Sequence, residues 1–319
     1  MDSIRIGIAG TGRIVPESAA ALRETGYELA AIWGPHPETA APLAQRFSIP
    51  LICQSYDELL SSGIDFVYIA LVNSVHFEYA RKALEAGVGV LLEKPFCSNS
   101  AQARELADIA RAKGLFLFET VSNIYLPAWA ALKERLPEIG RVKLFQADFS
   151  QYSSRYDAYL AGNVSASFNP TCEGGTLRDL NIYNLHLAVD LFGLPEEVVF
   201  RPNRGYNGID TSGTALLRYR DLLAVCTAAK DSGNPSGITV QGEKGFIRIS
   251  GMPILMPSVD ICIRGREAEH LEPNVYESRL GSMYEAIRSI YLRRDYDAML
   301  RHLSHTLLVM ETLDKCLDV

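Results

Sequence analysis

Five short apolar runs alternate with amphipathic stretches over the first 120 residues, and that alternation restricts this part of the chain to a parallel sheet covered by helices. The strands read as Ile4 to Ala9, Tyr27 to Trp33, Phe66 to Ala70, Gly89 to Glu93 and Phe116 to Glu119. Helices fall between them at Ser18 to Thr25, Pro37 to Phe47, Ser55 to Ser61, Val75 to Ala86 and Ser100 to Lys113. Ala86-Gly87 and Lys113-Gly114 set a glycine just past a last turn, and Ser100 suits an N-cap.

After residue 120 the texture changes. The β-rich stretches Val142 to Tyr152, Thr214 to Tyr219, Leu222 to Ala228, Ile238 to Val240, Phe246 to Ser250 and Asp260 to Ile263 follow one another without helices, which predicts a mostly antiparallel sheet. Arg178 to Phe192 is an embedded helix, and Tyr276 to Lys315 forms one or two more, with a break at Arg294-Asp295-Tyr296. At 319 residues the chain exceeds the size at which one core stops growing. The expected fold is therefore α/β in two domains: a doubly wound parallel sheet over residues 1–120, and a second domain over 121–319 with a large, mostly antiparallel sheet.

Charge narrows the partners. A net charge of −7 with no basic run argues against nucleic acid, whose phosphates need a positive face. Six cysteines without C-x-x-C spacing suggest reduced thiols, and neither a disulfide framework nor a metal site. Met1-Asp2-Ser3 runs straight into a strand without the pattern of an export signal, and no stretch reaches the roughly 20 apolar residues of a membrane span. A cytoplasmic location, with no membrane partner, is the expectation. The sequon Asn163-Val164-Ser165 carries no weight in that setting.

Gly10-Thr11-Gly12 sits between the first strand and the first helix, where glycines let the backbone turn tightly and bring its N–H groups to a pyrophosphate. Arg13 and Ile14 belong to the same loop, and Val15 stands where a third glycine is usual. An ordinary tight turn is the plain alternative. The second strand ends Ile32-Trp33-Gly34-Pro35-His36, with neither a carboxylate for a ribose 2′-OH nor an arginine for a 2′-phosphate, so NAD and NADP both remain open. Trp33 and His36 are candidates for the adenosine side, although His36 also reads as an exposed loop histidine. Leu71, Asn73 and His76 follow the next long strand; Asn73 can cap the helix behind it and face a cofactor, and His76 has a structural reading as well.

Two stretches carry the chemistry. Glu93-Lys94-Pro95 delivers an ammonium to the carboxyl end of a strand and then stops, at the edge where open parallel sheets bind ligands. Further on, Gly174-Gly175 precedes a helix in which Asp179, Tyr183, His186 and Asp190 are spaced to stack as one polar stripe on a largely apolar cylinder. A buried row of titratable groups is costly unless its members satisfy one another or face a ligand. Thr176-x-x-Asp179 also imitates a capping box, and Tyr183 also reads as a core aromatic.

Together these motifs resemble the Gfo/Idh/MocA oxidoreductases, with a likeness that covers essentially the whole chain. Glu93-Lys94-Pro95 at its distance from Gly10-Thr11-Gly12, and Asp179-x-x-x-Tyr183 behind Gly174-Gly175, carry it most specifically. Ala70 to His76 and Val240-Gln241-Gly242-Glu243-Lys244-Gly245 are similar to further recurrent loops of the family. The resemblance implies an N-terminal Rossmann domain, a sheet face that supports homodimers or homotetramers, a catalytic lysine at Lys94, an aspartate at Asp179 and an acid/base at Tyr183. Tyrosine in place of the commoner histidine resembles the glucose-fructose oxidoreductase and dihydrodiol dehydrogenase branches.

The implied reaction is hydride transfer between a nicotinamide and a carbinol of a sugar, cyclitol or related polyol, taking place between the two domains. A phenol with an ordinary pKa near 10 is a poor base at neutral pH, and Lys94 beside it would ease its ionisation and stabilise a developing alkoxide. Asp179 would orient the lysine or bind a substrate hydroxyl. Arg155 and His186 are candidates for substrate contact, His186 also for a proton relay or a supporting hydrogen bond. Alternative readings are a nucleotide-sensing regulator without turnover, and an enzyme that keeps its cofactor tightly bound for epimerisation or glycoside cleavage.

Overall fold

The protein is described by a computed structural model covering residues 3–276 and 278–317. Met1 and Asp2, used above in reading the amino terminus, and Glu277 within the 276–315 stretch lie outside the described residues. Contacts divide the chain into two units, residues 1–121 with 276–307, and residues 122–275 with 308–319.

In the first unit β1 (Ile4–Ala9), α1 (Val15–Glu24), β2 (Tyr27–Trp33), α2 (Pro37–Phe47), β3 (Leu51–Ile52), α3 (Tyr56–Leu60), β4 (Phe66–Ile69), α4 (His76–Glu85), β5 (Gly89–Glu93), α5 (Ser100–Lys113) and β6 (Leu117–Thr120) follow in sequence. The strands pair in parallel in the order β3-β2-β1-β4-β5-β6, so the winding reverses between β1 and β4. That reversal opens a crevice at the carboxyl ends of the two strands. Burial on both faces explains the unbroken apolar runs of β4 and β5, whose residues are all buried.

Local chemistry sets the boundaries. α1 begins three residues before the expected start because Pro16 stands in its first turn, where a fixed φ suits a helix and no N–H is missed. Asn99, not Ser100, caps α5, its Oδ1 accepting the Gln102 N–H at 3.0 Å. Gly114 closes that helix at φ 63°, as expected of a residue without a Cβ.

The second unit holds α6 (Pro127–Arg135), β7 (Val142–Ser150), α7 (Tyr156–Leu160), a π-helical turn at Leu177–Asn181 and α8 (Ile182–Phe192). Then come β8 (Glu197–Arg204), β9 (Asp210–Arg218), β10 (Leu223–Ala229), β11 (Gly237–Gly242), β12 (Gly245–Ser250), β13 (Ser258–Ile263) and β14 (Glu269–Leu271). The eight strands form one sheet in the order β14-β13-β12-β11-β7-β10-β9-β8, antiparallel except for the β7–β10 pair. Two strands that were not expected are the two edges. Pro202 lies within β8, a position only an edge tolerates, and β14 is three residues long.

Burial alternates along the middle of the central strands. Phe145, Ala147, Phe149, Ala224, Cys226 and Ala228 are buried on one face, while Leu144, Leu216, Leu223 and Phe246 are exposed on the other, brought together by the register.

The last helices are α9 (Gly281–Leu292) and α10 (Tyr296–Leu317). α9 belongs to the first unit. Tyr27 donates its hydroxyl to the Tyr284 carbonyl at 3.0 Å, Tyr291 lies edge-on to Phe66 and Phe116, and Arg279 pairs with Glu17 at 3.0 Å. No helix among the described residues is long and apolar enough to cross a membrane.

Candidate active site

At the switch point of the parallel sheet, Gly10 is held from two sides. Its N–H donates to Trp33 O at 2.8 Å, and Ala70 N donates to Ala9 O at 2.8 Å. Its φ of +122° is one that side chains rarely adopt, and a Cβ there would lie 2.3 Å from the Ala70 carbonyl oxygen. Gly12 is exposed, and a Cβ on it would come no nearer than 3.8 Å to that oxygen. One glycine thus lets the loop turn over the neighbouring strand, while the other leaves its outer face open to a phosphate. Val15, in place of the third glycine, is fully buried at the start of α1. Thr11 Oγ1 lies 2.6 Å from Thr39 Oγ1 of α2, and Gly34 makes room for it, since a Cβ there would sit 2.7 Å from Thr11 Cγ2. These features fit a dinucleotide cradle; Arg13 is exposed beside it, and Ile14 and Leu71 are half-buried.

Trp33 and His36 fare differently. The Trp33 ring stacks on Tyr79 at 5.5 Å and tilts against Tyr56 at 5.4 Å, so it packs inward. His36 is exposed, 3.8 Å from the Glu38 carboxylate in the first turn of α2. A carboxylate therefore does follow β2, five residues past the end of the strand.

Asn73 opens a 3-10 turn, Asn73–Val75, and α4 starts only at His76, with Val75 at its cap position. Asn73 thus stands two residues ahead of the cap position of that helix. His76 is fully buried, with Nδ1 2.9 Å from Pro95 O and Nε2 3.2 Å from Leu71 O. Burial lowers its pKa, against the pull of those two carbonyls. The imidazole so placed sits between the loop after β4 and the loop after β5, can donate to one of the two carbonyls when neutral, and does not line a surface. Glu93 is also buried. It accepts the Tyr68 hydroxyl at 2.7 Å and the Thr120 hydroxyl at 3.1 Å, which ties β4, β5 and β6 together beneath the sheet edge. Burial raises its pKa, partly offset by Tyr68, Lys94 and Thr120. Next to it Lys94 stands half-buried at that edge, before a cis bond to Pro95.

In the second unit the expected regular helix has a π turn at its start, so Asp179 leaves the α-helical register of Tyr183, His186 and Asp190. The single stripe is therefore interrupted at its start, and the carboxylate at its far end is already engaged. Asp190 accepts Trp129 Nε1 at 2.7 Å and Lys133 Nζ at 2.9 Å. Asp179 Oδ2 is 2.8 Å from Lys230 Nζ, a buried lysine just past the end of β10. The Thr176 capping box is absent too; the Leu177 N–H is taken by Asp210 Oδ2 at 2.6 Å. Asp210 keeps a raised pKa through burial, although that bond pulls it down.

The helix is then clamped to its surroundings. Asn181 Nδ2 donates to Cys226 O at 2.9 Å, Asn184 Nδ2 to Thr227 O at 2.9 Å, and Asn123 Nδ2 to the Tyr183 carbonyl at 2.9 Å. Tyr183 is 6% exposed, its ring 5.8 Å from Phe149. His186 is fully buried and offers no surface to a substrate. Arg155 is half-buried, with Nη1 3.4 Å from Ser167 Oγ. Sequence reasoning missed Lys230, Asn123, Asn181 and Asn184. The one signal for Lys230 was a lysine ending the apolar run Ala224 to Ala229. Among the described residues no His, Cys, Asp and Glu side chains gather to hold a metal ion.

A parallel sheet with a glycine cradle at its switch point and a lysine at its carboxyl edge, together with a second unit built on a large mixed sheet, defines a nicotinamide-dinucleotide oxidoreductase. Residues 4–120 match the oxidoreductase family model with an NAD-binding Rossmann fold, and residues 129–248 match the GFO/IDH/MocA C-terminal domain. The chain belongs to the Gfo/Idh/MocA family and is an NAD(P)-dependent oxidoreductase. It is 36% identical over 250 residues to scyllo-inositol 2-dehydrogenase (NADP(+)) of Bacillus subtilis, covering 77% of this chain and 76% of the relative. Human trans-1,2-dihydrobenzene-1,2-diol dehydrogenase is 27% identical over 300 residues, 89% of this chain and 86% of the relative. The fold superposes on that of a 3-ketoreductase from Actinomadura kijaniata, solved with NADP and TDP-benzene, with a TM-score of 0.86 at 22% identity over 99% of this chain and 98% of the other.

Proposed function

We propose that this oxidoreductase acts on a secondary alcohol of a sugar, cyclitol or related polyol, with Tyr183 and Lys94 handling its proton and charge and Asp179 holding the substrate. The observation that carries the reading is that a chain 36% identical to a scyllo-inositol dehydrogenase has a lysine at the sheet edge of one unit and a clamped, nearly buried tyrosine in the other. The bound nicotinamide supplies the hydride chemistry. Gly10, Thr11, Gly12, Arg13, Ile14, Leu71, Asn73 and Lys94 hold the dinucleotide. Tyr183, as the tyrosinate, accepts the hydroxyl proton as the carbinol is oxidised and, as the phenol, returns it in reduction. The Lys94 ammonium stabilises the alkoxide that forms on the way. Asp179 receives a neighbouring hydroxyl of the polyol.

The test is turnover of scyllo-inositol, myo-inositol, glucose and trans-1,2-cyclohexanediol with NAD+ and NADP+, read as absorbance of reduced nicotinamide. Lys94→Ala and Tyr183→Phe should each lower kcat by about 10²-fold or more while the folded variants still bind cofactor. Wild-type turnover by the double variant would remove the assignment.

Two coarser readings accompany it. The exposed row Leu144, Leu216, Leu223 and Phe246 supports a homo-oligomer built on this sheet face, and Phe246→Asp should then reduce the mass seen by light scattering. Six free cysteines and the acidic composition support a cytoplasmic location.

A further inference from the structure

Lys230 is an unusual residue to find 2% exposed. Taking an ammonium out of water costs several kcal/mol unless its donors are matched, so a buried lysine needs partners and a reason. It has the partners. Nζ donates to Asp179 Oδ2 at 2.8 Å and to Ser167 O at 2.7 Å, and its third side lies 4.3 Å from the centroid of the Phe168 ring. The ring is itself buttressed: Tyr159 stacks on it at 4.9 Å, Tyr206 stacks on Tyr159 at 4.6 Å, and Asn207 donates to Phe168 O at 2.9 Å. The main chain of Lys230 is fixed on both sides, its N–H on Thr211 O at 2.8 Å and its carbonyl under Ser153 N at 2.9 Å.

The other end of the pair is equally constrained. Asp179 sits in the middle of the π turn, four residues before Tyr183, and the turn is pinned at its start by Asp210 and at its end by Asn181. A widened turn has less intrinsic stability than an α-helical one, so the rotation of Asp179 depends on what grips its carboxylate. That grip comes from a lysine on the adjoining strand end.

From this geometry we infer that Lys230 is a positioning residue for the reaction, fixing the Asp179 carboxylate in the orientation at which it meets the substrate. The inference rests on the polyol reading above and adds to it a residue just past the end of β10 that acts through Asp179. The aromatic stack behind Phe168 is then part of the same support, because the face of that ring closes the only remaining side of the ammonium.

A double-mutant cycle tests it, with Lys230→Met, Asp179→Asn and the combined variant assayed on the four polyols named above with NADP+ and NAD+. Thermal midpoint and NADPH binding show that each variant is folded. Lys230→Met should lower kcat by about a hundredfold, the scale of a small misplacement in a reacting group, and leave the KM for cofactor unchanged. Lys230→Gln, which keeps a donor to both Asp179 and Ser167, should retain more of the rate and serves in place of Lys230→Met if that variant does not fold. The combined variant should be no slower than the slower single one, because both changes break the same contact. Rate losses that multiply in the combined variant, or a lysine variant that melts earlier yet keeps full kcat per folded site, would show Lys230 to be a packing residue only and overturn the inference. Loss of rate in Tyr183→Phe alongside normal rate in Lys230→Met would sink this inference alone. Wild-type protein inert towards all four polyols with both cofactors would remove the polyol reading and this inference with it.

Discussion

Gly10→Ala separates the two jobs of the glycine loop. At φ +122° an alanine is strained by about 1–2 kcal/mol before any contact is considered. Its methyl would lie 2.3 Å from Ala70 O and 2.9 Å from Ala70 C, both backbone atoms that no side-chain rotation can move aside. Neither partner is loose, since Gly10 N is bonded to Trp33 O and Ala70 N to Ala9 O. Overpacking of this kind costs a further 1–3 kcal/mol or so. The sum, roughly 2–5 kcal/mol, lowers the melting temperature of a unit of this size by about 5–15 °C. Gly12→Ala is the internal control, because its methyl would meet nothing nearer than 3.8 Å. It should melt like the wild type and yet bind NADPH about tenfold more weakly, about 1.4 kcal/mol, by occupying the face that a phosphate approaches. Scanning fluorimetry with and without NADPH, plus a fluorescence titration, reads both quantities. Gly10→Ala with an unchanged midpoint and affinity, or Gly12→Ala with a large loss of midpoint, would refute the division of labour.

Other expectations follow from the buried and paired ionisable groups. Burial raises the Glu93 pKa, so the folded state keeps a proton that the unfolded chain releases near its ordinary value; stability falls as pH rises from that value to the raised one, then levels. Glu93→Gln should lack this decline when melting temperature is followed against pH, and identical slopes would count against a protonated Glu93. His270, bonded to Asp260 at 2.6 Å and near Glu272, has its pKa raised above 6.5. Its contribution is present below the unfolded value and lost as pH rises through the folded one, and Asp260→Asn should bring its NMR titration back towards 6.5. Asp210→Ala removes the acceptor for Leu177 N and should cost about 1–2 kcal/mol in denaturant unfolding, with Asp210→Asn, whose amide oxygen can still accept, recovering most of that loss.

The parallel sheet was legible because its strands are buried on both faces and stand out as apolar runs; β1, β2 and β5 fall at the expected residues. Lys94 was legible for the same reason, as the first charge after such a run. Three features were hidden by their physics. A π turn and an α turn both bring residues four apart to nearly the same side, so the spacing of Asp179 and Tyr183 does not distinguish them. The partner of Asp179 lies 51 residues away, on a strand end whose lysine looks like an ordinary exposed terminus. His76 and Glu93 were expected on the cofactor side, but their side chains turn inward to backbone carbonyls and to hydroxyls, and direction is not written in a periodicity.

The return of residues 276–307 to the first unit has a consequence for biosynthesis. A ribosome has released β1 to β6 long before it makes α9, so until then Tyr27, Phe66 and Phe116 lack the aromatic cover that Tyr284 and Tyr291 later provide. The nascent nucleotide-binding unit must wait, partly unclothed, for the segment that starts at residue 276, which makes that interval the natural point for a chaperone to engage and makes a fragment ending at 275 a poor way to isolate the unit on its own.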